Sequence, residues 1–260
     1  MSPAATAVEP TAAHPAAPAP SYRTRQEWAA YTPENHAVWA TLYRTRMATL
    51  EDTGSRVFLD GARIIGLEEH RVPDLDDVNG RLRPRTGWEA IAVRGFVPAA
   101  DFFACLAERR FPTTVIVRPM DQLAYLPEPD IFHDVFGHVP LHADPVFADF
   151  LQRVGRLGAG ARDEAQVEQL ARLFWFTVEF GLVRERGAVR IYGSGLISSS
   201  GDAANALGDR CDRRPFELDA VLAQPFAIDR FQDVLFVVEE FAQLFAAVEE
   251  TARRFGLDPA

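Results

Sequence analysis

The chain has 260 residues, 48% of them hydrophobic, enough for one large core or two small ones. A formal net charge of −10 and a pI near 5.1 argue against a nucleic-acid-binding surface and fit a soluble cytoplasmic protein. All 27 basic residues are arginine, which excludes Schiff-base lysine chemistry and a P-loop.

Cys105 and Cys211 lie far apart with no CxxC pattern, so they read as reduced thiols rather than a disulfide framework or zinc ribbon. No apolar run is long enough to predict a membrane span. Residues 1–20 are rich in alanine and proline with little aliphatic bulk, which predicts a disordered tail. A helix is expected from Thr32-Pro33-Glu34, with Val38, Trp39, Leu42 and Tyr43 on its apolar face. A second is expected over Arg56–Glu69, and a short third from Asp74 carries Leu75, Val78 and Leu82. His14, His36 and His70 are assigned no role.

From Gly87 the pattern changes. Trp88–Val93 reads as a strand, Ala99–Arg109 as a helix and Thr113–Val117 as a β-branched strand ending at Arg118-Pro119. Beyond the central motif, Asp144-Pro145 starts a helix through Val154, and Gly155–Gly160 reads as a flexible break. A long apolar helix follows, with Asp163 at its cap. Val189–Tyr192 and Phe231–Val238 read as strands, the stretch Gly193–Ser200 as a loop, and Phe241, Leu244, Phe245 and Val248 as the face of a last helix. The sum is a mainly α chain with a few short strands, forming one domain over residues 21–260.

Two segments carry the chemistry. In Asp130-Ile131-Phe132-His133-Asp134-Val135-Phe136-Gly137-His138-Val139-Pro140 two histidines stand five residues apart. On a regular helix such positions diverge by roughly 140°, so both imidazoles reach one point only if the helix ends or bulges, for which Gly137 offers a place. Asp130 is the expected N-cap, and Gly137 and Pro140 predict an early stop. The pair alone fits either metal ligands or two polar helix-end residues. Glu179 stands alone in the apolar, aromatic run Leu173-Phe174-Trp175-Phe176-Thr177-Val178-Glu179-Phe180. A carboxylate so placed must be protonated, paired with an arginine or bound to a metal. Two histidines and one carboxylate together make the facial triad of non-haem Fe(II) oxygenases.

Glu128–Pro140, Trp175–Leu182 and Tyr192–Ser199 resemble the aromatic amino-acid hydroxylases, most closely the bacterial phenylalanine 4-hydroxylases, and the resemblance runs from about Tyr31 to Phe245. It implies the fold of that family's catalytic domain and hydroxylation of L-phenylalanine to L-tyrosine. The cofactors it implies are Fe(2+) and tetrahydrobiopterin or another tetrahydropterin, with O2 as co-substrate. It implies His133, His138 and Glu179 as iron ligands. Arg118 matches an arginine that binds the substrate carboxylate, while Pro129, Trp175, Phe180, Gly195 and Ser198 match the substrate pocket. Gly95, Val97 and Phe102 match the pterin wall, with Phe102 as the stacking ring, and Asp134 matches an acid that contacts the pterin through water. Phe174, Leu235 and Leu126 depart from the family pattern and leave open another aromatic substrate or ring position, such as tryptophan hydroxylation or 3-hydroxylation. Neither a regulatory domain nor a tetramerisation helix is expected, so the chain reads as a monomer acting on a small molecule, without nucleic acid or membrane.

Overall fold

The helix starts follow local capping chemistry. Thr32 caps α1 (Pro33–Thr53): its hydroxyl accepts from the Asn35 N–H, while the Asn35 side chain accepts from the Thr32 N–H. Ser55 caps α2 (Arg56–Ile64) by accepting from the Phe58 N–H, and Asp74 caps α3 (Leu75–Thr86) by accepting from the Asp76 N–H. α2 stops short of the expected Glu69, with Gly66 at φ +74° in the turn that follows. α3 is longer than expected and runs through Pro84 to Gly87, whose φ of +76° makes a left-handed cap. The computed structural model of the chain describes residues 22–123 and 129–257. The expected tail over residues 1–20, and the positions Leu126 and Glu128, lie outside the described residues.

β1 (Glu89–Val93), α4 (Ala99–Ala107) and β2 (Arg110–Thr114) follow, with β1 and β2 paired in parallel from Glu89–Arg110 to Val93–Thr114. The second strand therefore begins earlier than the expected Thr113–Val117. Its β-branched continuation bonds elsewhere: the Ile116 carbonyl accepts from the Ile131 N–H at 2.9 Å, and the Val115 carbonyl from the Tyr31 hydroxyl at 2.6 Å. The first bond ties the strand exit to the segment that carries the histidines, the second to the stretch before α1.

α5 (Pro145–Gly160) runs unbroken through the glycines expected to interrupt it. A Cβ on Gly155 would lie 2.4 Å from the Ala107 nitrogen, and one on Gly158 would lie 2.2 Å from the Phe103 ring. These glycines let α5 approach α4 closely, and that packing offsets the roughly 1 kcal/mol helix penalty of each. Asp163 caps α6 (Glu164–Phe174) as expected.

The remaining elements are β3 (Leu182–Glu185), β4 (Ala188–Ile191), α7 (Ser194–Ser198), α8 (Ser200–Leu207), β5 (Asp212–Pro215), α9 (Leu218–Ala223), β6 (Val234–Val238) and α10 (Ala242–Phe255). Four strands form one sheet in the order β4-β3-β6-β5, antiparallel only between β3 and β4. The glycine–serine stretch expected as a loop is thus mostly helical, divided at Ser199, which caps α8 by accepting from the Asp202 N–H. One hydrophobic core extends from α1 to α10, and helices outnumber strands among the described residues, as expected for a mainly α single domain.

Candidate metal centre between two cavities

The first histidine segment is a π-turn. Asp130 accepts from the His133 N–H at 3.1 Å, and residues Phe132–His138 wind as π-helix before a 3-10 turn over Val139–Ala143. The helix does not stop early; it widens, and the wider turn lets residues i and i+5 share a face. Phe132 and Phe136 stack at 4.5 Å and abut Trp39 of α1 at 5.4 and 6.3 Å, burying the opposite side. Gly137 serves close packing: a Cβ there would lie 2.9 Å from the Ser194 carbonyl oxygen of α7. His133 and His138 meet with their Nε2 atoms 3.3 Å apart.

Glu179 arrives on a second π-turn, Trp175–Glu179, closed by a bond from the Phe180 N–H to the Trp175 carbonyl at 2.8 Å. Its Oε1 lies 3.2 Å from His138 Nε2 and its Oε2 3.8 Å from His133 Nε2. No arginine pairs with it among the described residues, so the ion-pair alternative is not realised. Burial works to raise this carboxyl, but His138, His133 and the Ser194 hydroxyl outweigh it and hold it down to about 2. First-row metal–ligand bonds of about 2.1 Å place adjacent donors about 3 Å apart, so three side chains whose donor atoms approach to 3.2–3.8 Å fit one metal ion with open positions.

Asp134 also approaches, its carboxylate within 4.8 Å of both histidine nitrogens. Its Oδ2 accepts from the Thr114 N–H at 2.7 Å, and burial pushes the carboxyl up against the pull of the histidines. Glu179 is the better candidate for a third ligand, because its two oxygens bracket both imidazoles and its charge is favoured; Asp134 stands beside them.

Two cavities open on this point. One of about 590 Å³ is lined by Gly95, Val97, Phe102 and Asp134, and one of about 780 Å³ by Trp175, Phe180, Gly195 and Ser198. Arg118, Pro129, His133 and Glu179 line both. Phe102 is half-buried with its ring edge-on to Phe111 and Phe174. Trp175 is sandwiched between Phe180 at 4.7 Å and Phe226 at 4.5 Å. Ser198 Oγ is 2.8 Å from His133 Nδ1, so it orients that ring besides lining the cavity.

Arg118 is no exposed strand end: it is 8% exposed and bonded through Nε and Nη2 to the fully buried Asp130, at 2.8 and 2.9 Å. Leu123 accepts from Nη1 at 3.2 Å. Of five guanidinium N–H groups, one on each terminal nitrogen is left uncommitted.

Sequence reasoning missed Phe226, Ser194 and His142. Phe226 and Ser194 carry no local signal, since only tertiary packing brings them to Trp175 and Glu179. His142 did carry one, standing four residues after His138. It is no ligand, however: its ring is buried between Trp88 at 4.6 Å and Phe111 at 4.9 Å, with neither nitrogen hydrogen-bonded.

Two π-turns converge two histidines and a glutamate between paired cavities, a donor set that fits a mononuclear metal enzyme of the two-histidine, one-carboxylate kind. The model of the biopterin-dependent aromatic amino acid hydroxylases matches residues 12–257, and the chain belongs to that family. It is 44% identical over 195 residues to the phenylalanine-4-hydroxylase of Ralstonia nicotianae, a stretch covering 75% of this chain and 62% of that protein. The crystal structure of Chromobacterium violaceum phenylalanine hydroxylase with bound Fe(III) superposes with a TM-score of 0.87 at 40% identity, covering 90% of this chain and 86% of that one. An iron- and phenylalanine-bound structure of the same Chromobacterium enzyme gives 0.84 at 38% identity, covering 92% and 89%.

Proposed function

We infer that this chain is a phenylalanine 4-monooxygenase, converting L-phenylalanine to L-tyrosine with O2 and a tetrahydropterin at a non-haem Fe(II) centre. The observation that carries this is the convergence of His133, His138 and Glu179 where the two cavities meet. It is supported by the iron and phenylalanine held by the Chromobacterium relative. His133, His138 and Glu179 would hold the iron, leaving its remaining positions toward the cavities. Bound there, the iron would supply the oxygen-activating centre and the tetrahydropterin the two electrons that a mono-oxygenation needs beyond those of the ring.

The chain's own residues position and exclude water. The smaller cavity takes the pterin: Phe102 offers a ring face, Gly95 and Val97 a backbone wall, and Asp134 a carboxyl. The larger cavity takes the amino acid. Asp130 occupies the side edge of Arg118, which turns the end edge, with its two uncommitted N–H groups, to the substrate carboxylate. Trp175, fixed by Phe180 and Phe226, confines the substrate ring beside Pro129 and Gly195. Ser198 orients the His133 ring through its bond to Nδ1.

The test is aerobic turnover of L-phenylalanine with ferrous ion and a tetrahydropterin, with products separated by mass spectrometry against standards. Tyrosine formed in step with pterin oxidation is the expected result. Mainly 3-hydroxyphenylalanine, or turnover of tryptophan alone, would replace this assignment by its alternative. No helix among the described residues is long and apolar enough to cross a membrane. A cytoplasmic location fits the two free buried thiols, Cys105 and Cys211, and sedimentation should show a monomer.

A further inference from the structure

α7 lies across the metal centre and carries two serines four residues apart, each bonded to a different candidate ligand. Ser198 reaches His133 Nδ1 at 2.8 Å, and Ser194 reaches Glu179 Oε2 at 2.8 Å. Ser194 is fully buried; its hydroxyl has one proton and two acceptors, the nearer being Glu179 rather than the Val178 carbonyl at 3.2 Å. A helix of five residues cannot hold that position by itself. It is gripped from α1 by Arg46, which is 3% exposed and has no carboxylate partner among the described residues. Arg46 Nε donates to the Ile197 carbonyl at 2.7 Å, Nη2 to Leu196 at 2.9 Å, and Nη1 to Thr49 and Ser200. The carbonyls it takes are those that the end of a helix leaves unsatisfied, where a cation is also favoured by the helix dipole. Burial lowers its pKa only to about 10, so the charge persists at neutral pH. From the other side, the absent side chain of Gly137 lets α7 settle against the first π-turn.

We propose that Ser194 is a positioning residue for the metal centre, selecting Glu179 Oε1 as the ligating atom by engaging Oε2, and that Arg46 sets its position by anchoring α7. The inference rests on the metal centre assigned above. A carboxylate with one oxygen hydrogen-bonded presents the other, and here that other oxygen is the one 3.2 Å from His138 Nε2. Loss of the hydroxyl frees the carboxylate to rotate or to bind through both oxygens.

The experiment uses the metal-free full chain titrated with cobalt(II), read by a competing chelator and by visible absorption, with melting of the metal-free chain in parallel. Ser194→Ala should weaken cobalt binding about 10- to 100-fold. It should also alter the absorption bands, while the metal-free Tm moves by only a few degrees. Arg46→Gln should weaken binding in the same direction, and the double variant should lose less than the two single losses combined. A Ser194→Ala chain with wild-type cobalt affinity and spectrum overturns the proposal. So does loss of cooperative melting in metal-free Ser194→Ala, which would make the serine a core residue. Additive losses in the double variant overturn the link to Arg46. Failure of the wild-type chain to bind cobalt would instead sink the metal centre itself.

Discussion

Asp130 holds the Arg118 guanidinium by two hydrogen bonds, 2.8 and 2.9 Å, and its backbone N–H by a third at 3.2 Å, with the carboxylate fully buried and the guanidinium nearly so. The same aspartate caps the first π-turn through the His133 N–H, so one side chain links the candidate substrate clamp to the candidate iron ligand. Removing one partner of a buried pair strands the other charge, at a cost of about 3–5 kcal/mol. Asp130→Ala should therefore lower stability by that order in urea unfolding, and activity with it. Arg118→Lys keeps a charge for Asp130 but not the second fork. Its kcat/KM for phenylalanine should fall at least about thirtyfold, with iron content unchanged. Near-normal kcat/KM for phenylalanine in Arg118→Lys would mean that the Arg118 fork does not hold the substrate carboxylate.

Glu179→Gln removes the anionic member of the three-donor set while keeping its shape. We expect iron measured by mass spectrometry after ferrous loading and dialysis to fall to near background, and hydroxylation with it. Full iron loading in the purified variant would remove Glu179 from the centre and reopen the case for Asp134.

His142 should make the fold acid-sensitive. Burial, with a smaller contribution from His138, holds its imidazole well below the ordinary range, so the folded chain keeps it neutral. The unfolded chain binds the proton near pH 6.5, and in the window below that it carries one more proton than the folded chain. Stability from this site is complete above that pH and falls as pH drops, by at most about 1.4 kcal/mol per unit. His142→Phe fills the space between Trp88 and Phe111 without a titrating group. Urea midpoints at pH 7.5 and 5.5 should differ less in the variant than in the wild type; an unchanged difference would place the sensitivity elsewhere.

Gly155→Ala tests the contact between α4 and α5. The new methyl would meet backbone atoms at 2.4 and 2.6 Å, which cannot move aside as a side chain tip can. A loss of about 1–3 kcal/mol is expected. At about 2–4 °C per kcal/mol, that is a clear drop in Tm. Gly160→Ala is the control: its methyl meets only Leu257 side-chain atoms, the nearest at 3.4 Å, and Tm should stay within a degree or two. Equal effects at both positions would mean that helix propensity, not close approach, decides.

Much was legible from the chain alone where the cause is local. Thr32, Asp144 and Asp163 cap helices as expected, because a cap involves only the next three residues. The five-residue spacing of His133 and His138 required a distortion, and the structure supplies it as a π-turn. The isolation of Glu179 in an apolar run announced a carboxylate in need of a partner.

What that partner is, and what each glycine does, only tertiary structure decided. A glycine in a helix weakens it or admits a neighbour, and the outcome depends on what faces it. Gly155 and Gly158 face α4 and Gly137 faces α7, so none of the three ends its helix. The stretch from Ser194 to Ser198 has loop composition, yet it is helical with Arg46 on its terminal carbonyls, from about 150 residues away in sequence. Arg118 and Asp130 carry opposite charges on separate segments, and nothing in their spacing says that they pair. Such contacts are set by which surfaces the core brings together, and that information is spread over the whole sequence rather than held near either residue.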